Sequence, residues 1–404
     1  MPANQEANSD SDAGTATRPL AGNVVRLYAF RFLRDFLLIM PAMVPVYRAA
    51  GLHATDMLLV QAIFSLATVV FEVPSGFVAD VLGRRRALLI GSGLMSLGMA
   101  GYGLALGFWE FVLSEIVLAA GYSLFSGTES ALLFDTLAVI GQDDRYHRLE
   151  GRGEAFTRIG TATAAILGGL LAGLWVRLPF FVNMGTALVM VLIAITFVEP
   201  PRARLGARTP LRTILHVAKV AFSNPTVLPI MVLGAAVLAV GIVGIWGSFL
   251  RLSGAGITVL SYGVYFAVFQ AASALGASQS ARYFDGLGRT ALPVALGLMA
   301  TGPIGLAMSG AWWPVLVTPV GAFAWGALTP WLLERQNREF ASEHRATALS
   351  VSALQGRILF VVVSPLFGWL CDRHSDRMGF LFLLLLWIAL LAMAGLLALR
   401  RRKG

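Results

Sequence analysis

The stretch GFVADVLGRRRAL, residues 76–88, places an aspartate, a glycine and three consecutive arginines between two long apolar runs. The run before it is VQAIFSLATVVFEVPS, and the run after it is ALLIGSGLMSLGMAGYGLAL. Because charged side chains are costly in an apolar medium, this short polar string predicts a tight turn between two buried helices. A related string, ARYFDGLGRTAL, occurs at residues 281–292, which indicates an internal repeat.

The composition predicts that a lipid bilayer is the solvent for most of this chain. Of its 404 residues, 57% are hydrophobic and only 13% are charged, whereas soluble domains carry about 25% charged residues. The formal net charge of +9 would suggest nucleic acid as the partner of a soluble protein. Basic residues on one side of a membrane explain that charge better, so no nucleic-acid partner is expected.

Two residue types limit the chemistry of the chain. The single cysteine, Cys371, excludes an intrachain disulfide. The five histidines fall in or near predicted loops, which argues against a buried metal site. The sequence also contains no glycine–lysine phosphate loop, no metal-binding pair of histidines and no sizeable soluble domain, so an enzyme is not expected.

Twelve stretches have the length and apolarity that a membrane-spanning helix needs, which is about 20 residues. We name them spans 1 to 12, at residues 24–47, 57–78, 86–106, 109–137, 155–176, 179–198, 227–249, 257–280, 290–309, 312–333, 346–370 and 378–399. The polar segment 199–226 is interpreted as a cytosolic linker with an amphipathic helix. It separates two six-span halves, 22–198 and 227–404. Residues 1–21 are predicted to be a disordered cytosolic tail.

The distribution of basic residues predicts the orientation of the chain. With both termini inside, the cytosolic segments hold 21 of the 31 lysines and arginines, and the outer loops hold 5. This asymmetry follows the positive-inside rule and supports an even number of spans with both termini in the cytosol.

The internal repeat extends beyond the two quoted strings. Corresponding residues lie 205 positions apart in the turns and 199 apart in later spans. The pairs are Asp80 with Asp285, Gly83 with Gly288, Arg84 with Arg289, Asp135 with Glu334, Arg158 with Arg357, and Gly169 with Gly368. Such a duplication predicts two pseudo-symmetric halves, an arrangement common in transporters, whose substrate site lies at the midplane between the repeats.

The first string resembles the loop between spans 2 and 3 of the major facilitator superfamily, G-x-x-x-D-[R/K]-x-G-[R/K]-[R/K]. The matching residues are Gly76, Asp80, Gly83, Arg84 and Arg85. Val81 departs from the pattern, and so do Ala281 and Thr290 in the second copy. The resemblance covers the chain from span 1 to span 12. It implies an all-α membrane transporter of twelve helices in two halves.

The charges of this loop suggest a cytosolic gate. Gly83 permits a turn with positive φ, and Asp80 can accept hydrogen bonds from the free N–H groups that begin a helix. The resemblance implies that this helix is span 11 and that Arg84 pairs with Asp135 at the end of span 4. The second copy would use Asp285, Arg289 and Glu334 against the start of span 5. The alternative is that these charges only set topology.

Ionisable residues inside the predicted spans are functional candidates. Asp35 lies about eleven residues into span 1, near the bilayer centre. Arg31 precedes it by four residues on the same helical face, and Arg34 is predicted to point about 100° away. The others are Glu72, Glu115, Glu129, Arg158 and Arg357, which makes four acids and four arginines. We predict that Asp35 carries the coupling proton, with Glu129 as the second choice; the alternative is a static ion pair.

The sequence also contains candidates for the residues that line the substrate cavity. Arg357 is expected to face it and either to attract an anionic group or to pair with an acid. Aromatic and polar residues of spans 1, 7, 8, 10 and 11 are candidate lining residues, although any single residue of this kind is more often a packing residue or an interfacial anchor. They are Tyr28, Phe36, Trp246, Tyr262, Tyr265, Gln270, Trp325 and Gln355.

These patterns predict proton-coupled export of a small, partly apolar molecule across a bacterial plasma membrane. GTATAAILGG, residues 160–169, resembles the family's antiporter motif, although Ala164 and Ala165 depart from it and span 4 lacks the usual arginine. The proton gradient would supply the energy without a cofactor. The expected partners of a monomer are its substrate, protons and the bilayer. Uptake or facilitated diffusion of a metabolite is the alternative, and a non-transporting sensor is a rival.

Overall fold

The computed structural model describes residues 6–201, 219, 222–339 and 342–401, and these form helices and turns without a strand. The α-helices of this described part are α1 (Glu6–Arg34), α2 (Met43–Ala49), α3 (Ala54–Leu82), α4 (Arg84–Leu104), α5 (Phe108–Phe125), α6 (Thr128–Val139), α7 (Tyr146–Leu174), α8 (Leu178–Thr196), α9 (Val227–Gly254), α10 (Val259–Leu287), α11 (Ala291–Met308), α12 (Thr318–Glu339), α13 (Ser342–Arg373) and α14 (Asp376–Arg401). Short 3₁₀ helices occupy Met40–Ala42, Asp143–Arg145, Gly288–Thr290 and Trp313–Val317.

The helices have the dimensions and composition of membrane spans. Ten stretches of the described residues are long and apolar enough to cross a bilayer. One of them, Val259–Met308, is 50 residues long and contains both α10 and α11. The predicted all-α integral membrane class is therefore confirmed, while the count of twelve spans and the cytosolic termini stay predictions.

Two spans that the sequence predicts as single helices are broken. Span 1 divides into α1 and α2, with residues 35–42 in turns and a 3₁₀ helix between them. Pro41 has no N–H to donate, and its ring clashes with the carbonyl of the residue four positions earlier, so a continuous helix is disfavoured across the second half of this break. Span 4 divides into α5 and α6 at Ser126–Gly127, where Gly127 has a φ of 73°. A positive φ ends a right-handed helix, and glycine adopts it without strain.

The predicted tail differs from expectation, and most of the predicted linker lies outside the described residues. Residues 6–21, predicted as a disordered tail, are helical and form the beginning of α1. Their polar sequence continues the helical backbone of the apolar segment that follows. Residues 1–5 of the predicted tail lie outside the described residues. So do residues 202–218, 220 and 221 of the predicted linker, which include most of the predicted amphipathic helix.

By contacts between Cα atoms, the chain divides into two compact units. The first unit comprises Met1–Met40 and Ala67–Gly206, and the second comprises Pro41–Leu66 and Ala207–Gly404. Two elements are therefore shared between units. α1 and α2, the two pieces of span 1, belong to different units, and α3 contributes its first thirteen residues to the second unit and the rest to the first.

The two copies of the internal repeat share one backbone feature. Gly83 separates α3 from α4 with a φ of 108°, and Gly288 follows α10 with a φ of 51°. The positive φ expected at Gly83 is thus confirmed and recurs in the second copy. An L side chain adopts either conformation only with strain, so glycine is the residue that permits these short turns.

Candidate functional site

Five charged side chains form an alternating chain of ion pairs in the first unit, which we name the charge cluster. Arg34 Nη2 lies 2.5 Å from Asp35 Oδ2, and Arg34 Nη1 lies 2.7 Å from Glu129 Oε2. The same Glu129 oxygen accepts from Arg31 Nε at 3.0 Å. Arg31 Nη2 then reaches Glu150 Oε1, also at 3.0 Å. The order Asp35, Arg34, Glu129, Arg31, Glu150 alternates negative and positive charge along its whole length.

The break in span 1 changes which arginine meets Asp35. The sequence predicts Arg31 as the partner, because residues four apart share a helical face. α1 ends at Arg34, however, so Asp35 leaves the helical path and its carboxylate meets the neighbouring Arg34. The prediction that Arg34 points away from Asp35 is wrong for this reason. Arg31 is thereby left for two acids of the first unit, Glu129 and Glu150.

The middle of the charge cluster is buried and its ends are partly open. The exposed fractions of the Arg31 and Glu129 side chains are 2% and 3%, against 21% for Asp35 and 23% for Glu150. Within the described part of the chain, Arg31 Nη1, Glu129 Oε1 and Glu150 Oε2 are buried without hydrogen-bond partners. Three carboxylates face two guanidinium groups, so the fully ionised cluster carries one excess negative charge.

Backbone and small residues hold this cluster in place. A Cβ atom built on Gly153 would collide with Arg31 Nη1, so this glycine of α7 makes room for the guanidinium. Two carbonyl groups freed by the break in span 1 are also bound. Asn183 Nδ2 donates to the Phe36 carbonyl at 2.7 Å, and Thr161 Oγ1 donates to the Asp35 carbonyl at 3.3 Å. Buried carbonyl groups need such partners when a helix ends inside an apolar region.

Glu150 is the functional candidate that the sequence analysis missed. It follows the polar string DDRYHR, which is typical of a cytosolic turn, so nothing in its neighbours indicates a buried ion pair. Ser130 strengthens its position, because the Ser130 hydroxyl donates to Glu150 Oε1 at 2.6 Å and accepts from Arg31 Nη2 at 3.1 Å.

The remaining predicted intramembrane charges do not join the cluster. Arg158 is exposed on α7, and Arg357 is half-buried on α13 in the second unit. Glu72 is exposed, whereas Glu115 is buried and accepts a hydrogen bond from the Tyr102 hydroxyl. The expected balance of four acids and four arginines is therefore replaced by three acids and two arginines in one cluster.

The turn between α3 and α4 contains the ion pair expected from the loop motif. Arg84 Nε lies 2.6 Å from Asp135 Oδ2 on α6. The start of α4 is held by a residue that the sequence analysis did not select: Glu199 accepts from the Arg84 and Arg85 backbone N–H groups at 2.9 and 2.8 Å. Arg85 Nη2 in turn donates to the Ile195 carbonyl at 2.6 Å. Each helix end thus meets a side chain of the charge that its dipole favours.

The predicted contact of Asp80 with the start of span 11 stays a prediction. Asp80 is exposed, and the side chains of residues 342–348 at the start of span 11, its predicted partner, lie outside the description. In the second copy, Glu334 pairs with Arg338 four residues later on α12. The predicted pair of Arg289 with Glu334 is absent among the described residues, because the nearer arginine on the same helical face binds this acid. Asp285, Arg289 and Glu334 instead line an open groove of about 1420 Å³.

Three of the six candidate cavity residues of the second unit form an aromatic cluster. Trp246, Tyr262 and Tyr265 are buried around Phe249, with ring centroids 6.4, 6.1 and 5.7 Å from it. Trp325 borders a cavity of about 40 Å³ in the same unit. Gln270 and Gln355 are half-buried; in the first unit, Tyr28 donates to the Leu149 carbonyl, and Phe36 stacks on Phe32. Contact of any of them with substrate stays a prediction.

A carboxylate in the second unit holds the start of α3. Asp372, in the last turn of α13, accepts from the Ala54 N–H at 2.9 Å and from the Thr55 N–H at 2.7 Å. The Thr55 hydroxyl also donates to Asp372 at 2.6 Å. Gly368 permits this approach, because a Cβ there would lie 2.7 Å from the Ala54 carbonyl oxygen. We name this contact the α3 clamp.

The family model of the Major Facilitator Superfamily matches residues 27–358, which is most of the chain. The chain belongs to the Major Facilitator Superfamily. The superfamily predicted from the loop motif is therefore confirmed, and the protein is a membrane transporter. Among curated proteins, it is 30% identical over 171 residues to the multidrug resistance protein Stp of Mycobacterium tuberculosis, strain CDC 1551 / Oshkosh. That match covers 42% of this chain and 31% of the relative, so the chain spans about a third of the relative's length.

Solved transporters share the fold of this superfamily member at low sequence identity. A mutant of the nucleoside transporter NupG has a TM-score of 0.75 and 11% identity, over 94% of this chain and 99% of that one. A bacterial homologue of the human lysosomal transporter Spinster has a TM-score of 0.72 and 16% identity, over 94% and 96% of the two chains. A POT family transporter has a TM-score of 0.70, 12% identity and coverage of 93% and 96%.

Proposed function

We propose that this superfamily member is a proton-coupled exporter of small, partly apolar molecules, located in the plasma membrane of a bacterium. The charge cluster is the observation that carries the proposal. Its three carboxylates and two arginines leave one excess negative charge inside the first unit. One bound proton neutralises that charge, and an uncompensated charge in a low-dielectric site is costly.

Asp35 is the carboxylate proposed to exchange the proton. It lies at one of the two partly open ends of the cluster, has a single arginine partner and follows the last residue of α1. Glu129 is bound by both arginines and is almost fully buried, so it serves as the fixed centre of the cluster. Protonation of Asp35 releases Arg34 from one of its two acids. The redistribution of that guanidinium is the proposed link between proton binding and the movement of helices.

Export is proposed from the similarity to a named multidrug resistance protein. The partly apolar substrate is proposed from the mainly apolar lining of the cavity that Trp325 borders. The cluster by itself would serve coupled uptake equally well, because a proton-binding carboxylate does not set direction. The transport experiment must therefore separate the two directions as well as test the coupling.

The test is a toxicity panel in a bacterial host that lacks its own exporters. Strains with the wild-type chain, Asp35→Asn and an empty vector are compared at matched membrane expression. We expect resistance to at least one compound with the wild type and its loss with Asp35→Asn. Equal sensitivity of all three strains contradicts export, and wild-type resistance of the Asp35→Asn strain contradicts the role of Asp35. Asp144→Asn, an exposed acid in the turn before α7, is the matched control.

A further inference from the structure

The two ends of the charge cluster are chemically equivalent in one respect. Asp35 and Glu150 each bind one arginine, each is partly exposed, and each stands next to an arginine that also binds the shared Glu129. Protonation of either end leaves two carboxylates and two guanidinium groups, so it removes the same excess charge. Protonation of Glu129 would remove the same excess charge, but it would deprive both arginines of a partner at once.

We infer that Glu150 is the second proton-exchanging carboxylate of this transporter, at the opposite end of the cluster from Asp35. The inference rests on the proposed proton coupling and adds a residue to it. One proton binds to Asp35 and one proton leaves Glu150 to water, so protons balance over the transfer. The two arginines keep their protons throughout and only change partners, Arg34 turning from Asp35 toward Glu129 and Arg31 turning toward Glu150.

The surroundings of Glu150 suit this role. From α1 it faces Arg31, and from α6 it faces the Ser130 hydroxyl. Tyr28 on α1 and Tyr146 on its own helix lie within electrostatic reach of its carboxylate. Glu150 Oε2 has no hydrogen-bond partner within the described residues. A proton can therefore enter on that oxygen without breaking the bonds that Oε1 makes to Arg31 and Ser130.

The positions of Asp35 and Glu150 in the chain indicate the direction of the proposed proton movement. Asp35 lies in the break of span 1, at a depth that the sequence places near the bilayer centre. Glu150 lies in the second turn of α7, next to the exposed residues of the α6–α7 turn. A proton that arrives at Asp35 and leaves from Glu150 has therefore moved from the middle of the membrane toward the side of this turn.

The first measurement is infrared difference spectroscopy of the purified full-length chain in lipid, with protonated carboxyl groups detected by their C=O stretch. The variants are Glu150→Gln, Asp35→Asn, the double variant and Asp144→Asn as the control. We expect the wild type and the control to share a protonated-carboxyl band that both single variants lose, because each single variant already balances the two arginines. Retention of the whole band in Glu150→Gln overturns the inference.

The double variant gives an independent readout. Removal of both end carboxylates leaves Glu129 with two arginines and one excess positive charge. We expect its thermal unfolding midpoint to fall below those of both single variants. Equal midpoints for the double variant and Asp35→Asn also overturn the inference, because they mean that Glu150 does not balance the same charge as Asp35.

A transport assay in vesicles distinguishes failure of this inference from failure of the proposed function. Vesicles containing the chain are tested with a compound identified by the toxicity panel, with and without a proton gradient. If the wild type ignores the gradient, proton coupling itself fails, and the infrared result still decides whether Glu150 exchanges a proton. If the wild type follows the gradient, we expect Glu150→Gln to lose gradient-driven accumulation and to retain substrate exchange. Accumulation at the wild-type level in Glu150→Gln overturns the inference alone.

Discussion

Gly153 on α7 leaves the space that the Arg31 guanidinium occupies, and a single methyl group at this position would collide with Arg31 Nη1. The guanidinium bridges Glu129 and Glu150, so the absence of a side chain at one position of α7 permits an ion-pair network that joins α1, α6 and α7 itself. Two residues earlier on the same helix, Gly151 faces open space. The two glycines differ in surroundings while they share a helical backbone.

Gly153→Ala is therefore expected to disrupt the charge cluster. The new methyl group displaces Arg31, and gradient-driven transport in vesicles should fall well below the wild-type level. Gly151→Ala is the matched control and should be neutral or stabilising by about 0.5–1 kcal/mol, because alanine is favoured over glycine in a helix. Equal transport by the two variants would contradict the role of Gly153 in positioning Arg31.

Glu129→Gln should reduce stability more than neutralisation of either end carboxylate, Asp35 or Glu150. It leaves Arg31 and Arg34 without the carboxylate that both of them bind, and breaking a buried ion pair costs about 3–5 kcal/mol. Arg338→Gln, which breaks the exposed pair with Glu334, should cost about 0–1 kcal/mol. Thermal unfolding of both variants in the same detergent measures the difference. A similar loss in both would mean that Glu129 is not the centre of the network.

Asp372→Ala should loosen the α3 clamp. It removes the acceptor for two backbone N–H groups and one hydroxyl, and loss of a comparable helix cap costs about 0.5–2 kcal/mol. Hydrogen exchange at the first turn of α3 should become faster. Thr55→Val removes only the hydroxyl and should produce a smaller increase at the same amides. Unchanged exchange in Asp372→Ala would show that the clamp does not hold this helix end.

The two copies of the repeated turn should respond differently to the same substitution. Arg84→Gln breaks the ion pair with Asp135, whereas Arg289→Gln removes an arginine that pairs with no acid among the described residues. Turnover in vesicles should therefore fall with Arg84→Gln and change little with Arg289→Gln, at unchanged substrate affinity. Equal loss in the two variants would support a symmetric gate, as the sequence repeat alone suggests.

The positions of the spans could be predicted because each needs only length and apolarity, which a sequence displays directly. The loop motif and its repeat were also predictable, since Gly83 and Gly288 are flanked by charged residues at the same spacing. The breaks at Pro41 and Gly127 were harder. Proline and glycine are common in membrane helices, so their presence alone does not indicate that a helix ends there.

The partners inside the charge cluster could be predicted only in part. Four of its five members stand out as charges in apolar runs, but their pairing depends on where α1 ends. A shift of one residue in the end of α1 decides whether Arg31 or Arg34 contacts Asp35. Glu150 gave no signal at all, because it lies in a polar string and its burial arises from the packing of α7 against α1. Tertiary contacts of this kind have no local pattern in a sequence.

The cap that Glu199 provides for α4 can form only late in the synthesis of the chain. It binds the first N–H groups of α4 from a position 115 residues beyond Arg84, so the ribosome has made α4 to α8 before this cap exists. Until then, the start of α4 must find its hydrogen bonds in water or lipid headgroups. The start of α4 therefore stays without this cap until α8, the last helix before Glu199, has emerged. Assembly of this unit should finish in one late step, when residue 199 leaves the ribosome.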